Sequence, residues 1–121
     1  MPRILVVDDS SMSRRILRNI LESAGHDVVE ASDGMAGLEQ YFLHKPDMVL
    51  LDLIMSGMFG IDVLKKLREM DPEARVIVAT ADIQSSTREI TVAEGAAGFV
   101  TKPFTVDDVL NAVQSALKKA G

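Results

Sequence analysis

Short apolar runs rich in Val and Ile alternate along the chain with longer stretches of helical periodicity. Three of these runs are continuous, which is typical of parallel strands covered on both faces. Strands that alternate with helices favour a parallel sheet with helices on both sides, joined by right-handed crossovers. We therefore predict an α/β fold of five βα units, with strands at Ile4–Val7, Val28–Val29, Met48–Leu51, Val76–Ala79 and Phe99–Val100.

The stretches between and after these runs predict five amphipathic helices. Gly25 is the expected C-cap of the first and Asp33 the expected N-cap of the second, while Ser86 and Glu89 have the spacing of a capping box for the fourth. The predicted apolar faces are Met12, Ile16, Leu17, Ile20, Leu21 and Ala24; Met35, Leu38 and Phe42; Ile61, Leu64 and Leu67; Ile90 and Ala93; and Val106, Val109, Leu110, Val113 and Leu117.

Composition limits the function classes that remain. A chain of 121 residues has room for one core, so we expect a single domain over residues 1–121. It has no cysteine, which excludes disulfides and favours a reducing compartment, so we expect a cytoplasmic protein. No apolar run is long enough to span a bilayer, and we expect no secretory signal. A net charge of −5 argues against direct nucleic-acid binding, because that needs a basic face.

Polar residues follow four of the predicted strands. Asp8 and Asp9 follow the first strand, Asp52 the third, Thr80 the fourth and Lys102 the fifth. In an open α/β sheet, ligands bind beyond the carboxyl ends of the strands. Three carboxylates, a hydroxyl and an amine are therefore expected to meet at one edge of the sheet.

The chemistry of this group favours a metal and a phosphoryl group. Three grouped carboxylates repel one another unless a cation lies among them. Ligand sets made of oxygen suit Mg²⁺, with Mn²⁺ as the alternative. A metal, a lysine and a hydroxyl could neutralise the charge of a phosphoryl group, and a carboxylate could act as the nucleophile that forms an acyl phosphate.

Each of these residues, taken singly, also has a purely structural interpretation. Either acid after the first strand could cap the first helix, as could Ser10. Thr80 could bond to neighbouring backbone in a turn, and Asp52 and Lys102 could be solvated at the surface. Four such coincidences at the same edge are harder to explain than a single site.

In this order the motifs resemble the receiver domain of two-component response regulators, in particular its stand-alone CheY-like form. The resemblance covers essentially the whole chain and implies a flavodoxin-like sandwich with the strand order 2-1-3-4-5 that CheY has. It depends on Val6-Val7-Asp8-Asp9-Ser10, Leu51-Asp52-Leu53-Ile54-Met55, Ala79-Thr80-Ala81 and Phe99-Val100-Thr101-Lys102-Pro103-Phe104.

The resemblance implies a role for each site residue. Asp52 is the expected phosphoacceptor. Asp9, Asp52 and the backbone carbonyl of Ile54 are expected to coordinate Mg²⁺, with Asp8 acting through a bound water. Lys102 is expected to pair with the incoming phosphoryl group.

The resemblance also implies a switch. Thr80 is expected to move and hydrogen-bond the phosphoryl group, and the ring of Phe99 to turn inward when it does. A cis peptide is expected between Lys102 and Pro103, which is energetically accessible before proline. For Phe99, an ordinary core position remains an equal alternative.

One segment departs from the family pattern. Residues 55–60 read Met-Ser-Gly-Met-Phe-Gly, without the Pro and Asp that usually occur there. We expect Ser56-Gly57 to form a looser turn, because proline restricts φ and glycine frees it. The Met58-Phe59 pair is expected to be a local contact surface. Family experience connects Ile54 and Asp82 with the dephosphorylation rate, but this pair of residues does not predict that rate.

The expected partners follow from the same resemblance. A histidine kinase or phosphotransfer protein would donate the phosphoryl group, and the face of the fourth helix, fifth strand and fifth helix would bind a downstream protein. We expect no nucleic acid or membrane partner. We also expect a monomer, with dimerisation on phosphorylation as an alternative.

The chain would catalyse its own phosphorylation and dephosphorylation without being a turnover enzyme. A phosphorylation-independent interaction module, and a fragment of a longer regulator, both remain open. The pathway also remains open: it could be chemotaxis or another phosphorelay.

Overall fold

The computed structural model describes residues 2–55, 59–81 and 84–118. Five strands alternate with five helices in chain order. The strands are β1 (Arg3–Val7), β2 (Asp27–Ala31), β3 (Met48–Leu51), β4 (Val76–Thr80) and β5 (Gly98–Thr101). The helices are α1 (Ser11–Ser23), α2 (Gly34–His44), α3 (Gly60–Met70), α4 (Ser85–Ala93) and α5 (Val106–Lys118). The expected Ser56-Gly57 turn, Met58 and Asp82 lie outside the described residues, whereas Phe59 is exposed as expected.

The strands form one parallel sheet in the order β2-β1-β3-β4-β5, which confirms the predicted α/β topology. In this register Val7 pairs with both Ala31 and Leu51, and Thr80 pairs with Thr101. The carboxyl ends of the strands therefore lie along one edge. Every residue of β3 and β4 is buried, as expected for the inner strands of a sheet covered on both faces.

Two hydrophobic cores lie on opposite faces of the sheet. Ile4 and Val6 of β1 face α1 and α5, where they pack in one cluster with Leu17 and Val113. The alternate residues of β1 face the other side and pack with α3 and α2. This alternation places helices on both faces, because successive side chains of a strand point in opposite directions. Within the described ranges, no helix is long and apolar enough to cross a membrane.

The helix termini agree in part with the prediction. Ser10 caps α1, since its side chain accepts a hydrogen bond from the Ser13 amide, and Asp33 caps α2 in the same way through Ala36. The C-cap of α1 is Ala24 and not Gly25 as predicted; Gly25 follows it with a φ of +90°, which suits glycine. The capping box in α4 is wrong: the helix begins at Ser85, so Ser86 already lies inside its first turn.

The predicted apolar face of α2 is confirmed for Leu38, which packs against one of the cores, and is wrong for Met35 and Phe42. Met35 and Phe42 are each 58% exposed, and the helix buries Gly34 and Gly37 instead. A Cβ atom at Gly37 would lie 3.0 Å from a methyl group of Val7. At Gly37 the helix backbone therefore approaches the sheet too closely for a side chain to lie between them.

The predicted face of α4 is wrong as well. Ile90 and Ala93 are exposed, and within Ser85–Ala93, all of which the structure describes, Thr91 alone is buried. Its hydroxyl donates a hydrogen bond to the Arg88 carbonyl, 2.8 Å away, which satisfies the polar group inside. With one buried residue, α4 has little packing to hold it in place.

In the other three helices most of the predicted apolar positions face the cores. Those that do not are Met12, Ile16 and Ala24 of the α1 region and Val106 of α5, which are exposed. They lie near the helix ends or on the outer side of the stripe, where the sheet no longer covers them.

Candidate functional site

Two buried carboxylates lie side by side at the carboxyl edge of the sheet. Asp8 follows β1 and is 1% exposed, while Asp52 follows β3 and is 4% exposed. The Asp52 amide donates a hydrogen bond to the Val7 carbonyl over 3.0 Å, which continues the pairing of β1 with β3 as far as the two acids. Asp9 is exposed at the rim. Oxygens of the three carboxylates lie within 4.8 Å of one another.

The ammonium group of Lys102 bridges the two buried acids. Its Nζ lies 3.0 Å from Oδ2 of Asp8 and 3.0 Å from Oδ2 of Asp52. The Lys102 amide donates a hydrogen bond to the Thr80 carbonyl over 2.9 Å, and a cis peptide joins Lys102 to Pro103, as predicted. The loop after β5 therefore carries the lysine back over the end of β3.

Burial and neighbouring charge shift the pKa of two of these groups. Burial, helped by the charge of Asp52, raises the pKa of Asp8 against the lowering effects of the Ser10 amide and Lys102. For Lys102, burial favours a lower pKa, but the hydrogen bonds and charges of Asp52 and Asp8 outweigh it and the pKa is raised. The lysine is therefore a permanent cation at neutral pH, held between two acids.

The donor set fits a hard divalent cation. Oδ1 of Asp8 accepts a hydrogen bond from the Ser10 amide at 2.9 Å, whereas Oδ2 is buried and faces the Lys102 ammonium group, which it shares with Asp52. One ammonium group against three carboxylates leaves an excess of negative charge. Carboxylate oxygens in this arrangement are the ligands that Mg²⁺ accepts, together with water.

The remaining predicted residues lie around these acids. The Ile54 amide donates a hydrogen bond to Oδ1 of Asp52 over 3.1 Å, which fixes the loop that carries the Ile54 carbonyl. Thr80 is fully buried at the end of β4. Phe99 is partly buried against the core that includes α3, with the Arg88 guanidinium 5.1 Å from its ring centre. The structure thus brings together all the residues that the sequence predicted for this edge.

Two contributors were not assigned a role from the sequence. A Cβ atom at Gly60 would collide with the Asp52 carbonyl oxygen and with Cα of Leu53, so only glycine lets α3 begin against the acidic loop. The sequence signal that could have found it is the glycine at the end of the segment 55–60 that follows β3. Arg14 donates a hydrogen bond from Nη1 to the Asp8 carbonyl over 2.7 Å. On sequence alone it was one of several arginines on the polar face of α1.

Known proteins share both the sequence and the fold. Residues 4–114 match the family model of the response regulator receiver domain. The chain is similar to the chemotaxis protein CheY of Bacillus subtilis, with 40% identity over 116 residues that cover 95% of this chain and 97% of that protein. It is also similar to sporulation initiation phosphotransferase F of Bacillus subtilis, with 34% identity over 119 residues that cover 95% and 93% of the two chains.

Solved structures agree with this assignment. In the CheX-CheY-BeF3-Mg+2 complex from Borrelia burgdorferi, a chain with 33% identity superposes with a TM-score of 0.93, over 97% of this chain and 90% of that one. Chemotaxis protein CheY4 of Vibrio cholerae, with 27% identity, has a TM-score of 0.91 over 96% and 98%. The chain therefore belongs to the family of response regulator receiver domains, the phosphoacceptor regulators of two-component signalling.

Proposed function

We propose that Asp52 accepts a phosphoryl group from the phosphohistidine of a histidine kinase or phosphotransfer protein. The observation that carries this proposal is the ammonium bridge between two buried acids, with Lys102 Nζ 3.0 Å from Oδ2 of both Asp52 and Asp8. A lysine held in this way is placed to receive the charge of an arriving phosphoryl group. If Asp52 were simply a solvated surface acid, it would not be only 4% exposed at the end of an inner strand.

The proposed reaction is a displacement at phosphorus. A carboxylate oxygen of Asp52 attacks the phosphorus, the bond from phosphorus to the donor's imidazole nitrogen breaks, and that nitrogen takes up a proton. The product is an acyl phosphate on Asp52. Lys102 offsets the charge on the equatorial oxygens, and the Thr80 hydroxyl donates a hydrogen bond to one of them after it moves.

Asp9, Asp52 and the Ile54 carbonyl would hold Mg²⁺, with Asp8 acting through a water and Mn²⁺ as the alternative metal. The bound ion would supply Lewis-acid neutralisation of the phosphoryl oxygens. Attack of water on the acyl phosphate would return Asp52 to its free form at the same site. Receiver domains related to CheY are not turnover enzymes, and we propose that this chain catalyses only its own phosphorylation and dephosphorylation.

The phosphoryl group would switch an output face. It adds about −1.5 to −2 charge units at the end of β3. Thr80, Phe99, Lys102 and Pro103 are the groups placed to respond. Of these, Phe99 contacts α4 through Arg88, whose guanidinium lies 5.1 Å from the centre of its ring. The single buried residue of α4, Thr91, makes that helix easier to displace than α1.

We propose that the output face consists of α4, β5 and α5 and that it binds a protein. A polar groove on this face is lined by Arg88, Phe99, Asp108 and Asn111, among others. From residue 82 to residue 121 the chain has four Lys and Arg against five Asp and Glu, so the face lacks the positive charge that nucleic acid requires.

Several further expectations stay predictions. We propose that residues 1–121 form one receiver domain, that the chain is monomeric until phosphorylation, and that it acts in the cytoplasm. The relatives named for chemotaxis and for sporulation make either kind of phosphorelay a suitable pathway to test.

Phosphorylation by acetyl phosphate in Mg²⁺ tests the acceptor. We expect intact-protein mass spectrometry to show one added phosphoryl group on the wild-type chain and none on Asp52→Asn. Asp27→Asn is the matched control, because Asp27 is an exposed acid at the opposite edge of the same sheet. Full labelling of Asp52→Asn would identify another acceptor, and an unlabelled wild type would favour the phosphorylation-independent interaction module.

Beryllofluoride with Mg²⁺ tests the output face. Amide chemical shifts recorded with and without this phosphoryl mimic should change most in α4, β5 and α5, apart from the site itself. Changes confined to α1 and α2 would contradict the proposed face.

A further inference from the structure

An arginine and glutamate network lies beside the acidic site, on the α1 and β2 side. Arg14 donates one hydrogen bond to the Asp8 carbonyl, at 2.7 Å, and another from Nε to Oε1 of Glu30, at 3.0 Å. Oε2 of Glu30 accepts from Nε of Arg18 at 2.6 Å. Glu30 is therefore held by two guanidinium groups, one of which reaches the backbone of the site.

We propose that Arg14 is a positioning residue for the metal site, acting through the peptide that joins Asp8 to Asp9. This inference rests on the proposed Mg²⁺ function of these acids. The Asp8 carbonyl and the Asp9 amide belong to one planar unit, so a hydrogen bond to the carbonyl restrains the direction in which Asp9 leaves the chain. The Asp9 side chain is exposed at the rim, and it leaves the chain directly after this peptide.

Other contacts hold the chain on either side of this peptide, and Arg14 contacts its carbonyl oxygen. The Asp8 amide donates to the Ala31 carbonyl over 3.1 Å, and its Oδ1 accepts from the Ser10 amide. The first contact restrains the Asp8 backbone, and the second spans Asp9 because it joins Asp8 to residue 10. The hydrogen bond from Arg14 acts on the carbonyl itself, at the step from the buried acid to the exposed one.

The proposed effect of Arg14 on the metal site is geometric, because the positive and negative charges of the network offset each other. Arg14 and Arg18 are matched by Glu30 and by Glu22, which lies 3.1 Å from Arg18. The Arg14 side chain is 18% exposed and Glu30 is 30% exposed, so the pair is partly shielded from solvent. The planar guanidinium donates in two fixed directions at once, which an ammonium group on a flexible chain does less well.

Direct Mg²⁺ titration of the metal-free protein tests this inference. We expect Arg14→Ala to raise the Mg²⁺ dissociation constant about tenfold, at the lower end of the range for residues that orient metal ligands. Arg14→Lys should also lose most of the Mg²⁺ affinity, since lysine keeps the positive charge but lacks the planar guanidinium that donates in two directions. Arg15→Ala removes an exposed arginine from the same helix turn and should bind like the wild type.

Two further readouts separate positioning from a general loss of structure. With acetyl phosphate as donor, Arg14→Ala should need about tenfold more Mg²⁺ for half-maximal rate yet reach nearly the wild-type rate at saturation. In metal-free protein its Asp9 amide should exchange with solvent faster than in the wild type. If Arg14→Ala fails to fold, Glu30→Gln is the second variant, with an expected rise in the dissociation constant of about threefold, because the amide keeps one acceptor oxygen.

The outcomes distinguish the two proposals. A wild-type chain that does not bind Mg²⁺ overturns the proposed function. A wild-type chain that binds, with Arg14 variants of equal affinity, overturns the positioning role alone. An equal loss in Arg15→Ala also overturns it, because the effect would then follow the charge of α1 and not the hydrogen bond.

Discussion

Lys102 donates a hydrogen bond from Nζ to Oδ2 of Asp52, which lies 50 residues earlier in the chain, over 3.0 Å. The contact exists because β3, β4 and β5 are neighbours in one sheet and end at the same edge. The same Nζ contacts Asp8 across β1. One cation thus joins the ends of three strands, and its removal leaves two buried carboxylates unpaired.

Replacing Lys102 by methionine should slow the reaction and spare the metal. Methionine keeps the length of the chain but removes the cation that would meet the phosphoryl oxygens, so we expect the rate at saturating Mg²⁺ to fall about 10²–10³-fold. The Mg²⁺ affinity should not weaken, since no expected ligand is lost. Phosphorylation by acetyl phosphate, followed by mass spectrometry, measures the rate. Lys66→Met, at an exposed position of α3, is the control, and equal rates for the two variants would refute the role of Lys102.

Replacing Asp8 by asparagine should stabilise the metal-free protein at neutral pH. Burial raises the pKa of Asp8, so the folded state disfavours its charged form. The stability that this group contributes is full below its ordinary pKa of 3.8 and is lost as the pH rises through the folded value. We expect a gain on the order of 1 kcal/mol, about 4 °C in Tm for a domain of this size.

Thermal unfolding across the acid range checks the sign of this effect. The Tm difference between Asp8→Asn and wild type should be smallest at low pH and should grow towards neutral pH. Saturating Mg²⁺ should then raise the Tm of the wild type more than that of the variant, because only the wild type keeps all three carboxylates. A variant less stable than wild type at neutral pH without metal would contradict the prediction.

Replacing Gly60 by alanine should disturb the site through its backbone. The new methyl group would meet the Asp52 carbonyl oxygen and Cα of Leu53, neither of which can rotate away. We expect a loss of about 1–3 kcal/mol, typical of overpacking, and weaker Mg²⁺ binding. Gly98→Ala is the matched control, since its Cβ would lie 3.5 Å from a side-chain atom of Ile77, an ordinary contact. Urea unfolding compares the two, and similar midpoints would show that the loop after β3 can yield.

Replacing Tyr41 by phenylalanine should reveal a pH-dependent contact far from the site. The Tyr41 hydroxyl donates a hydrogen bond to Oδ2 of Asp71 over 2.6 Å, joining α2 to the end of α3. Burial, with this hydrogen bond, raises the pKa of Tyr41. The stability that the Tyr41 hydroxyl contributes to the folded state is therefore full below the ordinary tyrosine pKa of about 10, and it is lost as the pH rises above that value.

We expect Tyr41→Phe to cost about 1 kcal/mol near neutral pH. The stability difference between the two proteins should shrink as the pH rises beyond about 10. Denaturant midpoints of the two proteins, measured near neutral pH and again above about pH 10, test this prediction. Equal stability of the two proteins at neutral pH would mean that the aromatic ring, which both share, and not the hydroxyl, supplies the stability, and a difference that does not change with pH would contradict the predicted titration.

The sheet and the content of its carboxyl edge were predictable from the sequence. Continuous apolar runs such as Val76–Ala79 predicted inner parallel strands, because an inner strand needs apolar residues on both faces. Parallel strands of similar length end together, so the residues that follow them, Asp8 and Asp52 among them, could be placed at one edge before any contact was known. The strand order itself came from the resemblance to receiver domains.

Helix faces were less predictable where backbone proximity or a polar residue determined them. In α2 the large residues Met35 and Phe42 point outward because the helix packs on Val7 through Gly37. In α4 the buried position belongs to Thr91, whose hydroxyl is satisfied within the helix. An apolar stripe indicates the inner face only when side chains, and not the helix backbone, fill the gap to the sheet.

By itself, then, the sequence determined the five βα units and the cluster of acids with its lysine, because periodicity and strand ends are local properties. Tertiary structure alone decided which atoms meet there: Lys102 between two particular carboxylate oxygens, Gly60 against the backbone of Asp52, and Arg14 on the Asp8 carbonyl. Such contacts join residues from different βα units or depend on ångström-scale separations, and no periodicity along the chain encodes those distances.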